Sequence, residues 1–215
     1  MSLDLDLLEK TILNNNILFT LRFYLWEGNW ISIGYHQKDL PIHWKELSAQ
    51  NLVKIVRRPS GGGAVLHSGG ITYALTFKKP EYKKFSYEFI NNWLVQSFKL
   101  IGLNLKTGTL KKAAIMQNCF CTNYISDLVD ESGYKRIGSA QYWKKGSFLQ
   151  HGEIQLKPPV DLWGKVFREN PPPQLKLKLS REKIIDHLKF KFLENYSDSS
   201  VDNIFINKDD LKGYL

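Results

Sequence analysis

Apolar residues recur at helical spacing from Asp4 to Asn14 (Leu5, Leu8, Ile12), and the segment stops in a run of Asn, which predicts an opening helix. Residues 21–26 and 30–35 are aromatic and β-branched runs on either side of Glu27-Gly28-Asn29, and they predict two strands. A short helix is expected from Pro41 through Leu47. Residues 52–56 and 64–66 predict strands flanking a glycine run, and residues 71–77 predict a further strand. The strongest helical pattern covers residues 86–103, where Ile90, Trp93, Leu94, Phe98 and Ile101 share one face and Gly102 is placed to stop it. From residue 125 to 156 the chain reads as strands with turns at Gly133, Gly146 and Gly152. Residues 161–167 look helical, Pro171-Pro172-Pro173 is a spacer, and Ser180 is placed to cap a helix through Leu193. Helices and strands do not alternate strictly. That favours an α+β fold with a mixed, largely antiparallel sheet and flanking helices over a doubly wound one.

Composition narrows the class. The 215 residues fit a single domain, 1–215, with a helical C-terminal segment from about 160, and six Trp provide for a large core. No stretch reaches the ~20 apolar residues of a membrane helix. Asp4 and Asp6 stand where a signal peptide would be basic, so a cytoplasmic protein is expected. The two cysteines, Cys119 and Cys121, are too close for an ordinary disulfide or a CxxC pair, and the His and Cys positions lack zinc-ligand spacing, so no metal site is expected. A net charge of +9 fits nucleic acid or acidic protein partners. No block of like charge or nucleic-acid motif is present, which makes nucleic acid the weaker choice.

The chemistry concentrates in a few segments. Arg57-Arg58-Pro59-Ser60-Gly61-Gly62-Gly63-Ala64-Val65-Leu66-His67 brings fixed positive charge to backbone that a ligand can approach closely. It reads as a strand, a glycine-built turn and a returning strand, with Arg57 and Arg58 at its lip; the plain alternative is a tight hairpin with surface arginines. It is neither a Walker A loop nor a dinucleotide fingerprint, because Leu66 occupies the third glycine position. Lys135 opens a basic and small-residue stretch read as a turn, His151 sits at another glycine turn, and Cys119 lies in an irregular segment. Taken singly, these read as a solvated lysine contributing little to the core, a packing histidine and a buried thiol.

Together, residues 21–37 (LRFYLWEGNWISIGYHQ), 57–67, 135–141 (KRIGSAQ) and 149–156 (LQHGEIQL) resemble, in order and rough spacing, the lipoate–protein ligase/octanoyltransferase superfamily, closest to its single-cysteine octanoyltransferases. The resemblance covers about residues 1–156. It implies a fold related to the biotin/lipoate ligase catalytic domain, although the GRGRxGR signature of biotin ligases is absent. It also implies that Arg57, Arg58, Ser60, Gly61, Gly62, Gly63, Ala64 and His67 bind the acyl substrate, facing a wall of Gly138, Ser139, Ala140, Gln141, His151 and Gly152. Lys135 is implied at the acyl carbonyl. Cys119, followed by Phe120 and about sixteen residues before that lysine, matches the transferases' nucleophile, with Cys121 as the other choice. The implied reaction moves an octanoyl or lipoyl group from acyl carrier protein to a lipoyl-domain lysine (glycine cleavage H protein or a 2-oxoacid dehydrogenase E2), without cofactor. Gly63, which completes a GGG run, keeps open an ATP- and Mg-dependent lipoate–protein ligase. A non-catalytic module that binds a carrier or nucleic acid is the third reading.

Overall fold

The protein is described by a computed structural model over residues 1–78, 87–108 and 126–196. Helix α1 (Ser2–Leu13) leads into β1 (Phe19–Tyr24), β2 (Trp30–Ile33), α2 (Ile42–Ala49), β3 (Lys54–Arg57), β4 (Val65–His67), β5 (Ile71–Phe77) and α3 (Tyr87–Leu100). Strands β6 (Leu105–Thr107), β7 (Leu128–Asp130), β8 (Lys135–Lys144) and β9 (Ser147–Ile154) follow, then α4 (Val160–Phe167) and α5 (Arg181–Tyr196).

Two sheets form. The larger runs β1-β5-β9-β8-β7-β6 and is antiparallel throughout, and the smaller runs β3-β2-β4. The fold is therefore α+β with a largely antiparallel sheet, as its element order predicts. Strand β9 lies between β5 and β8, and all eight of its residues are buried. Because successive side chains alternate between faces, Gln150 and Gly152 look toward α3, while Leu149, His151 and Glu153 look the other way.

Each face has its own core. On one, Tyr73, Leu75 and Phe77 of β5 pack with Trp93, Leu94 and Phe98 of α3 and with Ile184, Leu188 and Phe192 of α5. On the other, α1 covers part of the sheet through Leu8 against Ala74 and Leu149. The small sheet occupies the rest, and its own core of Ile31, Ile33, Leu66, Trp44, Trp163 and Val166 is roofed by α2 and α4. Trp44 Nε1 donates to the Val166 carbonyl at 2.7 Å and joins those two helices.

β1 and β2 form on either side of Gly28, as expected, and belong to different sheets. Several elements differ from the expectation. β3 and β4 do not pair across the glycine run, because β2 inserts between them, parallel to β3 and antiparallel to β4. Residues 135–141 are strand, not turn, and Gly152 lies inside β9. The turn expected at Gly146 is present and joins β8 to β9 through Lys145-Gly146, both at positive φ (50° and 79°). That is the two-residue hairpin geometry matching strand twist. No helix of the described residues is long and apolar enough to cross a membrane.

The C-terminal helix is part of the main core. The Phe192 ring packs edge-on against Phe19 (5.0 Å) and Trp93 (5.3 Å) and is buried. Phe192→Ala is expected to cost about 3–5 kcal/mol, the range for deleting a buried aromatic ring. Urea unfolding should show a lower midpoint with an unchanged m-value.

Candidate functional site

A central strand buried on both faces ordinarily reads as apolar, yet β9 carries Gln150, His151 and Glu153. Each buried polar group needs a partner, and those partners define the site. Gln150 Nε2 donates to Tyr73 Oη (2.9 Å) and Asn91 Oδ1 (2.8 Å), and Gln150 Oε1 accepts from Gln141 Nε2 (2.8 Å). Glu153 Oε2 meets His67 Nδ1 (2.8 Å) and accepts from the Thr72 hydroxyl (2.5 Å), which in turn accepts from Trp26 Nε1 (2.8 Å). The far nitrogen of His67 reaches Ser32 Oγ (2.7 Å), and the Trp26 ring stacks on the imidazole at 4.5 Å. His151 Nε2 bonds Ser60 Oγ, while its Nδ1 has no partner among the described residues.

The glycine run is shaped from within. Arg58 is buried, with Nη1 donating to the Ser32 carbonyl (3.0 Å) and Nη2 to the carbonyls of Gly61 (2.7 Å) and Gly63 (2.6 Å). Gly62 adopts φ +93°, and a Cβ on Gly34 would overlap the Gly62 carbonyl. Two glycines thus let the loop lie on the end of β2, a contact no other residue pair permits. Arg57 is exposed and donates to the carbonyls of Gly34 (2.8 Å) and Tyr35 (3.0 Å). Of the two arginines expected at the lip, only Arg57 is on the surface.

These parts enclose a cavity of about 500 Å³, within the range for small-molecule sites. Its lining joins Arg58, Gly61, Gly62 and His67 to residues 138–141 of β8 and to His151 and Gly152 of β9. Ser32, Thr72, Tyr87, Asp127 and Glu153 line it too, and sequence reasoning missed them. Glu153 at least stood within the 149–156 segment that carries the resemblance; Asp127 lay outside every such segment. Arg57, Ser60, Gly63, Ala64 and Lys135 are not on its wall. Ser60 acts through His151, and Ala64 belongs to the small-sheet core. Lys135 is not the solvated turn lysine expected: it opens β8, is buried, and its Nζ pairs with Asp127 Oδ2 at 2.8 Å. Cys119 and Cys121 lie outside the described residues.

Burial, then the Arg58 cation and His67, pull His151 down to about pH 3, so its imidazole is neutral in ordinary buffers. Burial pushes the Tyr73 phenol up to about 12, so it stays protonated, within 2.7 Å of Ser139 Oγ. The cavity therefore sets a neutral imidazole and bare backbone beside the Arg58 guanidinium and the paired carboxylates of Asp127 and Glu153.

Comparison with known proteins agrees with this architecture. Residues 1–183 match the family model of the lipoyl protein ligase A/B catalytic domain. The chain belongs to that family. Octanoyltransferase LipM of Clostridioides difficile is 33% identical over 90% of this chain and 73% of its own length. LipM of Brevibacillus brevis is 36% identical over 66% of this chain, and the match spans only 56% of that relative's length. Among solved structures, lipoate-protein ligase A bound with ATP superposes with a TM-score of 0.70 at 24% identity, covering 87% of this chain and 76% of its own. A bi-partite lipoate protein ligase from Thermoplasma acidophilum gives 0.67 at 21% identity, over 87% and 75%. These structural likenesses place the family fold on the chain.

The neutral His151 has a stability signature. In the unfolded chain it takes up a proton below about pH 6.5, whereas the folded protein refuses that proton until about pH 3. Its contribution to stability is thus fully present above pH 6.5 and is lost as pH falls toward 3. His151→Asn should flatten stability against pH between 4 and 6 by up to about 1.4 kcal/mol per pH unit, one proton's worth. Denaturant titrations of both proteins across that range check it.

Proposed function

We infer that this chain transfers an octanoyl or lipoyl group to a lysine amine of a lipoyl domain, drawing it from a carrier-protein thioester through a cysteine acyl-enzyme. The observation that carries the reading is the cavity itself, in a chain of this family. One wall is a glycine loop and the other the backbone of β8 and β9, so an extended acyl chain meets little side-chain bulk.

In the first half-reaction the Cys119 thiol gives its proton to solvent, the thiolate adds to the thioester carbonyl, and the carrier leaves as a thiolate that takes a proton back. In the second, the acceptor amine attacks the acyl-enzyme, forms the amide and returns the thiol. A cation beside the thiol favours the thiolate, and Lys135, paired with Asp127, is the candidate. The +9 surface suits acidic carrier and acceptor domains, whose encounter a complementary field accelerates. The route calls for no cofactor. In the ATP- and Mg-dependent alternative, Arg57, Arg58 and the glycines would grip an acyl-adenylate; the engagement of Arg58 by three loop and strand carbonyls speaks for the transferase instead.

Two assays separate the readings. Incubation with octanoyl-carrier protein should add one octanoyl group at Cys119 by intact mass, whereas lipoate with Mg-ATP should release no pyrophosphate. Transfer without any acyl-enzyme would overturn the covalent route, and pyrophosphate release would establish the ligase. Tight, steeply salt-dependent oligonucleotide binding with no transfer in either assay would leave only a binding module.

The burial of Lys135 adds a stability effect to its expected catalytic one. Lys135→Ala leaves a buried carboxylate without its cation, so a stability loss of about 3–5 kcal/mol is expected. Turnover per folded molecule should fall by about 10²-fold, the scale of losing one stabilising donor. Lys144→Ala, at an exposed lysine paired with Glu9, should keep near-normal activity. A folded Lys135→Ala protein as active as this control would remove Lys135 from the mechanism.

A further inference from the structure

Strand β8 is ten residues long, but β7 pairs only with its start, Val129 opposite Lys135 and Leu128 opposite Ile137. Beyond Ile137, the edge of β8 that faces away from β9 has no strand beside it among the described residues. The β9 register decides which backbone groups point to that edge. Gln155 N–H donates to the Arg136 carbonyl, and Lys144 opposite Ser147 closes the hairpin. Even-numbered residues of β8 therefore exchange hydrogen bonds with β9, and odd-numbered residues turn N–H and C=O outward.

Gln141 shows the alternation directly, because its N–H donates to the Tyr87 hydroxyl at 3.1 Å. Ser139, two residues earlier, points its N–H the same way, and no acceptor meets it among the described residues. Both residues line the cavity. A backbone donor left open at a cavity wall is uncommon, since buried N–H groups are nearly always paired. The position is also rigid. Ser139 Oγ is tied to Tyr73 Oη at 2.7 Å, and Tyr73 in turn accepts from Gln150. Gly138 before it carries no side chain that could shield the N–H.

We propose that the backbone N–H of Ser139 binds the acyl carbonyl oxygen and stabilises the oxyanion formed during transfer. The proposal rests on the acyl-transfer reading above. When the nucleophile's electron pair adds to the carbonyl carbon, the C=O π pair moves onto oxygen, where the N–H meets it. As the pair returns, the carrier's C–S bond breaks and the carrier leaves as its thiolate, which takes a proton from solvent. Lys135, buried on Asp127 and off the cavity wall, supplies charge nearby, and Ser139 supplies the directed hydrogen bond.

The test replaces the residue 139 amide with an ester by semisynthesis, deleting only the N–H. The same replacement at Trp143, an outward-facing position whose residue is not on the cavity wall, is the control. The ester at 139 should lower kcat for octanoyl transfer by about 10²-fold with KM for the donor little changed, and the ester at 143 should not. If the ester protein does not fold, Ser139→Pro removes the same donor without breaking a ladder bond, as proline is tolerated where N–H faces outward. A second readout is the carbonyl stretch of a bound, unreactive ketone analogue of the octanoyl thioester. It should shift to lower frequency on wild type and lose that shift when the N–H is absent. An unaltered shift, or equal activity of the two esters, overturns the proposal. Absence of transfer by the wild-type protein overturns the acyl-transfer reading, and the bound ketone still reports on Ser139.

Discussion

Burying polar side chains in the middle of the central strand is the constraint on which the rest of the structure depends. Gln150, His151 and Glu153 lose their water on folding, and an unpaired group of that kind costs about 1–3 kcal/mol, more when charged. Their partners come from every layer: Asn91 on α3, Tyr73 and Thr72 on β5, His67 on β4, and Ser60 ahead of the glycine run. The small sheet is thus held on the large one by directed bonds as well as apolar contact. Such bonds work only in one register, because a slip of one residue would send each polar group to the opposite face. The layers that enclose the cavity are locked by the groups that line it.

Arg58 extends that logic to the loop. A buried guanidinium is costly unless its donors are engaged, and here they find carbonyls of Ser32, Gly61 and Gly63. Those carbonyls can converge because the glycines allow a path closed to other residues, with Gly62 at φ +93° against Gly34. The charge therefore organises backbone, and its field reaches His151, which it helps keep neutral. The run of glycines serves the arginine as much as any ligand.

Legibility in the sequence followed the range of the interaction. α3 and β5 were readable because their patterns are local: an apolar stripe on one, a β-branched and aromatic run on the other. The pairing of strands was not. β2 enters between β3 and β4 from more than twenty residues away, and nothing in the glycine run itself announces that. Residues 135–141 looked like a turn because Gly138, Ser139 and Ala140 are small, when their smallness keeps a strand edge bare. Gly152 marks close approach in the same way: a Cβ there would press on the Tyr73 ring and the Gly138 carbonyl. Ten of the expected site residues line one cavity because the motifs are short and each brings its neighbours along. Asp127 and Glu153 escaped notice because their importance lies in what folds against them.

The distribution of unmet hydrogen-bonding capacity distinguishes this cavity from ordinary packing space. Native structures satisfy nearly all buried polar groups, so exceptions carry information. Here His151 Nδ1 and the Ser139 N–H are without partners among the described residues, and both residues line the cavity. His151 stands on β9 opposite Ala140, the neighbour of Ser139, so the two belong to adjoining positions of one sheet. The imidazole is neutral and the amide is fixed by the strand, so neither must reorganise or shed a proton to receive a ligand. A site built this way stabilises developing charge by preorganised dipoles. The tight polar network on the His67–Glu153 side supplies the rigidity that preorganisation requires.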